Sequence, residues 1–306
     1  MKVQIFGHKS PDTDSTGSPI VWAWYLNKVQ GIPAEAKLLG EPNTEAKFVL
    51  DYWRLDKPGL LDKLIDGTPV IILDTNNPAE LPYNIGNASI QAIIDHHKLS
   101  GGIKTSSPIE ITMRSLASTA TILYNLIGED VSKMPKEIKG LVLSCILSDT
   151  LEFRSPTTTE YDRDVAIKLA SELGIDIVTY SREMFDAKSD VSAFSDAELL
   201  RMDSKEYSLG DKKYRISVLE TTSPKLVLDR KDSIMISMKT IVKEDSIDQI
   251  LFFVVDIFKE EATLFIPNDT VKTIAFKSFN ITAKSDTITI PGLMSRKKQI
   301  IPSLKN

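Results

Sequence analysis

Short β-branched runs alternate with helical spacing over the first half of the chain. Residues 3–6, 70–73 and 91–94 are apolar and bounded by polar turns, the pattern of buried parallel strands. Between them, residues 20–29 and 44–55 carry apolar side chains at helical spacing. This alternation predicts an α/β domain with a doubly wound, mainly parallel sheet. Residues 117–127, 135–147 and 159–173 then read as a run of helices, with Pro135 suited to a first turn. From Ala187 to Asp196 the residues are small and polar, and the pattern restarts beyond them. Strands near 206–209, 214–219, 249–257 and 262–266 accompany a helical stretch near 234–242. The expected organisation is a first domain over 1–188, a linker over 189–195 and a second, smaller α/β domain over 196–306.

Composition narrows the classes of function. Over 306 residues, 42% are apolar and 26% charged, which suits a buried core and excludes disorder or a disulfide scaffold. The 37 basic and 42 acidic residues leave a formal net charge of −5, so the global positive field of most nucleic-acid binders is absent. Cys145 is the single cysteine; it lies in the apolar run 141–147 and points to a buried thiol and a reducing compartment. The apolar run at the N-terminus is too short for a signal peptide. The run 250–258, interrupted by Asp256, falls short of the ~20 residues of a membrane span. A soluble, cytoplasmic protein is expected, with no membrane or nucleic-acid partner.

The chemistry gathers at strand ends. The three histidines, His8, His96 and His97, each follow a predicted strand and each have aspartate close by. One cluster reads Gly7-His8-Lys9-Ser10-Pro11-Asp12-Thr13-Asp14, the other Asp95-His96-His97-Lys98. Asp74 ends a further strand, whereas Asp149 closes a helix and is placed less firmly by pattern alone. In an open parallel sheet, loops at the carboxyl ends of the strands meet over one crevice. A single aspartate there is usually a cap or turn residue, but that does not explain all three histidines at once. Converging carboxylates repel one another unless a cation compensates them. Imidazole with carboxylate suits Mn²⁺, Fe²⁺, Co²⁺ or Zn²⁺ better than Mg²⁺. A pair of such ions can hold a bridging water as hydroxide and clamp a phosphoryl group.

A basic loop, Ser295-Arg296-Lys297-Lys298-Gln299, offers an anion-binding counterpart in the second domain. Facing an acidic, metal-loaded cleft on the first domain, it would bind a small polyanion between the domains. Lys205, taken alone, is an ordinary surface lysine. Neither GxGxxG nor a Walker A motif is present, and no activating neighbour in sequence makes Cys145 a nucleophile.

His8-x-x-x-Asp12-x-Asp14 with Asp95-His96-His97 resembles the DHH phosphoesterase superfamily. Ser148-Asp149, Asp203-Ser204-Lys205-Glu206 and Ser295-Arg296-Lys297-Lys298-Gln299 narrow the resemblance, over nearly the whole chain, to the manganese-dependent family II inorganic pyrophosphatases. That resemblance implies two Mn²⁺ ions, with Co²⁺ as a substitute and Mg²⁺ arriving with the substrate. It assigns His8, Asp12, Asp74 and Asp149 to one ion and Asp14, Asp74, His96 and Asp149 to the other. It implies in-line attack of a metal-bridging hydroxide on pyrophosphate, with Asp14, Asp74, Asp149 and His97 as catalytic residues. His97 would stand beside the leaving phosphate, Asp95 would orient a neighbouring histidine, and Lys205, Arg296 and Lys297 would grip phosphate oxygens. It also implies a homodimer; closing the second domain about the linker would exclude water and complete the site. One departure stands out: many members read Asp-His-Asn where this chain reads Asp74-Thr75-Asn76. The chain has no room for the nucleotide-binding insert of the regulatory subclass. Exopolyphosphatases and DHH-type phosphodiesterases or exonucleases share the two-metal chemistry. The glycine-rich second-domain motif of the nucleic-acid enzymes is missing, and polyphosphate is the harder substrate to separate from pyrophosphate.

Overall fold

The computed structural model describes residues 1–282 and 285–305. The chain divides into two compact units, Met1–Lys188 and Ser189–Asn306. In the first unit the elements run β1 (Val3–Phe6), α1 (Thr13–Tyr25), β2 (Ala34–Ala36), α2 (Thr44–Tyr52), β3 (Pro69–Leu73), β4 (Ser89–Asp95) and β5 (Glu110–Met113). Four helices follow: α3 (Thr119–Ile127), α4 (Lys136–Asp149), α5 (Glu160–Leu173) and α6 (Ile177–Lys188). The five strands form one sheet in the order β2-β1-β3-β4-β5, and every pairing is parallel. All five carboxyl ends therefore lie along one edge, where the loops carrying His8, Asp74, His96 and His97 emerge.

Alternation along each strand sorts its side chains between the two faces. Val3, Ile5, Ile71, Leu73 and Ile94 join a core with the helices, from Val21 on α1 to Leu141 and Ile146 on α4. Phe6, Val70, Ile72 and Ile93 face the other way, packed on Leu64, Leu81 and Ile85 from the connections beside β3 and β4. Two short strands escape the sequence pattern. β2 reads Ala-Glu-Ala, without β-branched residues, and β5 is an edge strand whose residues stay half-buried or exposed.

Helix α1 begins at Thr13, well ahead of the expected start at residue 20, and this corrects the sequence reading. Asp12 caps it by accepting the Ser15 amide at 2.9 Å. The helix then continues through Pro19. Proline's fixed φ suits a helix, and the loss of one amide bond is tolerated against a packed core. Asp12 and Asp14 thus sit on a rigid helix N-terminus rather than in a loop.

Helix α4 crosses α2 closely because residue 140 is glycine. A Cβ there would lie 2.2 Å from Cδ2 and Cε2 of Trp53. The indole cannot yield easily, since its Nε1 donates to Tyr180 Oη at 2.7 Å and to Ser144 Oγ at 3.1 Å. Gly140→Ala is therefore expected to destabilise the protein by about 1–3 kcal/mol through overpacking. A lowered urea midpoint checks this, and an unshifted midpoint contradicts it.

The second unit runs α7 (Asp196–Met202), β6 (Ser204–Leu209), β7 (Lys212–Thr221), α8 (Lys225–Leu228), α9 (Lys231–Glu244), β8 (Gln249–Asp256), β9 (Glu261–Phe265), α10 (Asp269–Phe279) and β10 (Thr287–Pro291). A π-helical turn, Arg296–Ile300, leads into α11 (Ile301–Ser303). Its sheet has the order β10-β9-β8-β7-β6 and is mixed: β7 and β8 are parallel, the other pairs antiparallel. One face packs on α10 through Val271 and Ile274, the other on α7 and α9 through Leu199, Ile234 and Met238. Among the described residues no helix is long and apolar enough to cross a membrane.

Candidate metal centre

Seven of the residues singled out in the sequence, His8, Asp12, Asp14, Asp74, His96, His97 and Asp149, converge at the carboxyl edge of the first sheet. His8 follows β1 and is fixed through its amide, which donates to Ser15 Oγ at 2.8 Å. Its Nε2 lies 3.7 Å from Asp12 Oδ2 and 3.6 Å from Asp74 Oδ2. Asp74 stands just beyond β3 with φ +58°, a left-handed conformation that a non-glycine residue adopts at a cost. His96 Nε2 lies 3.3 Å from Asp74 Oδ1 and 4.0 Å from Asp149 Oδ2. Donor atoms lie within 4.8 Å of one another in each of three sets: His8, Asp12 and Asp74; Asp14, His96 and Asp149; and Asp74, His96 and His97.

Asp149 reaches this edge from the last residue of α4 because α4 packs tightly on α1. Gly17 permits the approach: a Cβ there would lie 2.5 Å from Cys145 Sγ. Burial pushes the Cys145 thiol well up, and the nearby aspartates push it further, so it stays protonated and inert. Three successive left-handed residues, Leu151, Glu152 and Phe153, turn the chain sharply just beyond Asp149.

Charge is the central problem of this cluster. Burial, then the charges of Asp14, Asp12 and Asp95, push the Asp74 carboxyl well above the usual carboxylate range. Burial, followed by Asp14, Asp12 and Asp74, does the same to Asp149. Burial also pushes Asp12 up, but its hydrogen bonds from His8 and the Ser15 amide outweigh that and hold it below the usual range. Asp149 Oδ2 is buried and accepts no hydrogen bond. The His96 ring adds a second unmet demand. Its Nδ1 meets the Leu116 carbonyl at 3.2 Å, and a carbonyl can only accept, so the ring proton sits there. In that tautomer Nε2 carries a lone pair, which faces the Asp74 carboxyl group at 3.3 Å. An orphaned buried oxygen, an imidazole lone pair aimed at a carboxylate and several converging aspartates make a donor set that fits divalent cations of the Mn²⁺ type.

His97 has a different role. Its Nδ1 lies 2.9 Å from Asp95 Oδ1, and its amide donates to the same oxygen at 3.0 Å. Asp95 is itself fully buried and accepts from Asn76 Nδ2 at 2.6 Å. Burial pushes Asp95 up, but these bonds outweigh it and keep the carboxyl below the usual range. The His97 ring is half exposed and is steered from behind. Thr75, beside Asp74, donates its hydroxyl to Glu80 Oε2 at 2.7 Å.

Sequence reading missed the support for Asp14. The Thr119 and Ala120 amides, at the N-terminus of α3, donate to its two oxygens at 2.6 and 3.1 Å. Ser18 Oγ adds a bond at 2.7 Å, and Thr119 Oγ1 donates to Asp74 at 3.1 Å. Ser118-Thr119 ahead of an apolar helical run is a capping signal that could have shown where α3 opens.

In the second unit, Lys205 lies exposed on β6. Arg296 opens the π-helical turn, and its guanidinium bonds the Asp203 carboxylate at 2.7 Å and the Asp203 carbonyl at 2.8 Å. The side chain of Lys297 lies outside the described residues.

Residues 2–146 match the DHH family N-terminal domain, and residues 182–306 match the DHHA2 domain. A probable manganese-dependent inorganic pyrophosphatase of Deinococcus radiodurans is 38% identical over 307 residues, covering 98% of this chain and 97% of its own. The manganese-dependent inorganic pyrophosphatase of Bacillus subtilis is 35% identical over 305 residues, covering 99% and 97%. The crystal structure described as a "putative family II inorganic pyrophosphatase" from Methanococcus jannaschii aligns with a TM-score of 0.62 at 32% identity, covering 99% of this chain and 98% of its own.

Proposed function

Since the chain belongs to the family of manganese-dependent inorganic pyrophosphatases, we propose that it hydrolyses pyrophosphate to two phosphates at the cluster around Asp74. The observation that carries this reading is the set of buried carboxylates whose charge and orphaned oxygen call for divalent cations. One Mn²⁺ would be held by His8, Asp12, Asp74 and Asp149, and a second by Asp14, Asp74, His96 and Asp149. Co²⁺ would substitute, and Mg²⁺ would arrive with the substrate. When bound, such ions supply Lewis-acid chemistry, acidifying water and offsetting phosphate charge.

The chain's own residues do the rest. A cavity of about 550 Å³, lined in part by His8, Lys9, Ser10, Asn76, His97 and Lys98, has room for a pyrophosphate. His97 acts at its wall. Asp95 holds Nδ1 and so fixes the ring, which leaves Nε2 as the atom through which a proton passes to the departing phosphate oxygen. Lys205, Arg296 and Lys297 grip phosphate oxygens, Arg296 with a planar fork and the lysines as point charges. The reading takes 1–188 as the metal-binding domain, 189–195 as the linker and 196–306 as the substrate-binding domain. The division after Lys188 supports it. It extends to a homodimer at work in the cytoplasm, which light scattering of the metal-loaded protein checks for the oligomer.

The test is a panel of substrates offered to the Mn²⁺-loaded protein. Pyrophosphate is expected to be hydrolysed at least about 100-fold more efficiently than tripolyphosphate or a linear dinucleotide, a difference of about 2.7 kcal/mol in transition-state binding. Preference for tripolyphosphate would make the protein an exopolyphosphatase, and preference for the dinucleotide a phosphodiesterase.

A further inference from the structure

A second cavity, of about 460 Å³, adjoins the one assigned to pyrophosphate. The two share only His97 and Lys98 among their lining residues. Beyond these, the second is lined by His96, Met113, Arg114, Ser115, Leu116 and Thr157. Its polar lining is wholly cationic, imidazole or hydroxyl, and no carboxylate belongs to it. That is unusual in a chain of net charge −5 and within one residue of an acidic cluster. Neither Lys98 nor Arg114 forms an ion pair with a carboxylate among the described residues. The Arg114 guanidinium is nevertheless positioned: Nη1 donates to Asn125 Oδ1, and Asn125 Nδ2 in turn donates to Tyr161 Oη at 3.1 Å. A neutral amide fixes the fork without neutralising it, which leaves its charge for a ligand.

We propose that this cavity is a second oxyanion site, which takes a single phosphate group on Arg114, Lys98 and Ser115. The proposal rests on the pyrophosphatase reading, because that reaction supplies orthophosphate one histidine away. The orthophosphate leaves the His97 wall by way of Arg114, and at high concentration it refills the cavity and slows turnover. A linear triphosphate is the other source of the same chemistry, with its third phosphoryl group in the cavity.

The experiment measures inhibition of Mn²⁺-dependent pyrophosphate hydrolysis by added orthophosphate, in the full chain and in Arg114→Gln. The inhibition constant is expected to rise about tenfold in the variant, the loss of one charged hydrogen-bonding partner, and to rise more than the pyrophosphate KM. Asn125→Ala keeps the charge but frees the fork, and is expected to give an intermediate rise. It also carries the test should Arg114→Gln not fold. If the KM for tripolyphosphate moves with the inhibition constant, the cavity also takes a third phosphoryl group. If that KM stays put, it takes orthophosphate alone. An unchanged inhibition constant in both variants overturns the proposal, as does an equal rise in inhibition constant and pyrophosphate KM, which would make Arg114 part of the substrate site. Failure of the wild-type chain to release phosphate at all would instead refute the pyrophosphatase reading.

Discussion

Asp74→Asn lowers the rate of pyrophosphate hydrolysis by about a thousandfold or more while raising the stability of the metal-free protein. The two effects have one cause. Asp74 is buried, and its oxygens stand 3.3–3.7 Å from ring nitrogens of His8, His96 and His97. In the proposed centre it is shared by both cations, so the neutral amide weakens both positions and forfeits several kcal/mol of charge stabilisation, about 1.4 kcal/mol per power of ten. Without metal the same carboxylate is a liability, desolvated and repelled by Asp14, Asp12 and Asp95. Asparagine keeps the shape and can still accept from Thr119 Oγ1. A melting temperature above wild type after chelation, beside activity near background, is the expected pair of results. A variant destabilised with and without metal would show that Asp74 is an ordinary structural carboxylate.

Removing the metal makes stability fall as pH rises, and restoring Mn²⁺ reverses this. Asp74 and Asp149 have folded-state pKa values raised well above the usual 3.8. The folded protein therefore binds protons that the unfolded chain has already released. Their contribution to stability is complete below the ordinary carboxylate pKa and is lost as pH climbs through the raised values. Asp12 and Asp95 are shifted the opposite way, so they add stability above their unfolded values and lose it only as pH falls below. Between weakly acid and neutral pH the buried pair decides the slope. Mn²⁺ binds the deprotonated groups and stabilises more as pH rises. At a free concentration 1,000 times the dissociation constant, one ion contributes about 4.1 kcal/mol. For a protein of this size that is a rise in melting temperature on the order of 10 °C. Melting curves of the chelated protein across pH, with and without Mn²⁺, test it; a flat profile for the chelated protein contradicts the account.

His8, Asp12, Asp74 and His96 could be gathered from sequence because buried parallel strands announce themselves, and residues just past them share one edge. Asp149 could not be placed that way, since it ends a helix; its position depends on α4 lying against α1 at Gly17, a tertiary fact. The amides of Thr119 and Ala120 grip Asp14 with atoms that every residue type possesses, so no residue identity marks them. Helical apolar spacing shows only from residue 20, because the first turns of α1 are Thr-Asp-Ser-Thr-Gly-Ser, small and polar residues; Asp12 caps the helix upstream of them. Strands β2 and β5 are an alanine-rich triplet and a half-exposed edge, and neither carries the apolar run that betrays a buried strand. Thr75 was legible only as a departure from the family; its bond to Glu80 gives the position a local structural partner instead of a ring.

The most direct test of the central claim is phosphate release from pyrophosphate by metal-stripped protein as Mn²⁺ is added, alongside His8→Gln. The account predicts negligible release without metal, a rise that levels off at two bound ions per chain, and loss of that rise in the variant. A folded protein that binds Mn²⁺ yet releases no phosphate from pyrophosphate would contradict it.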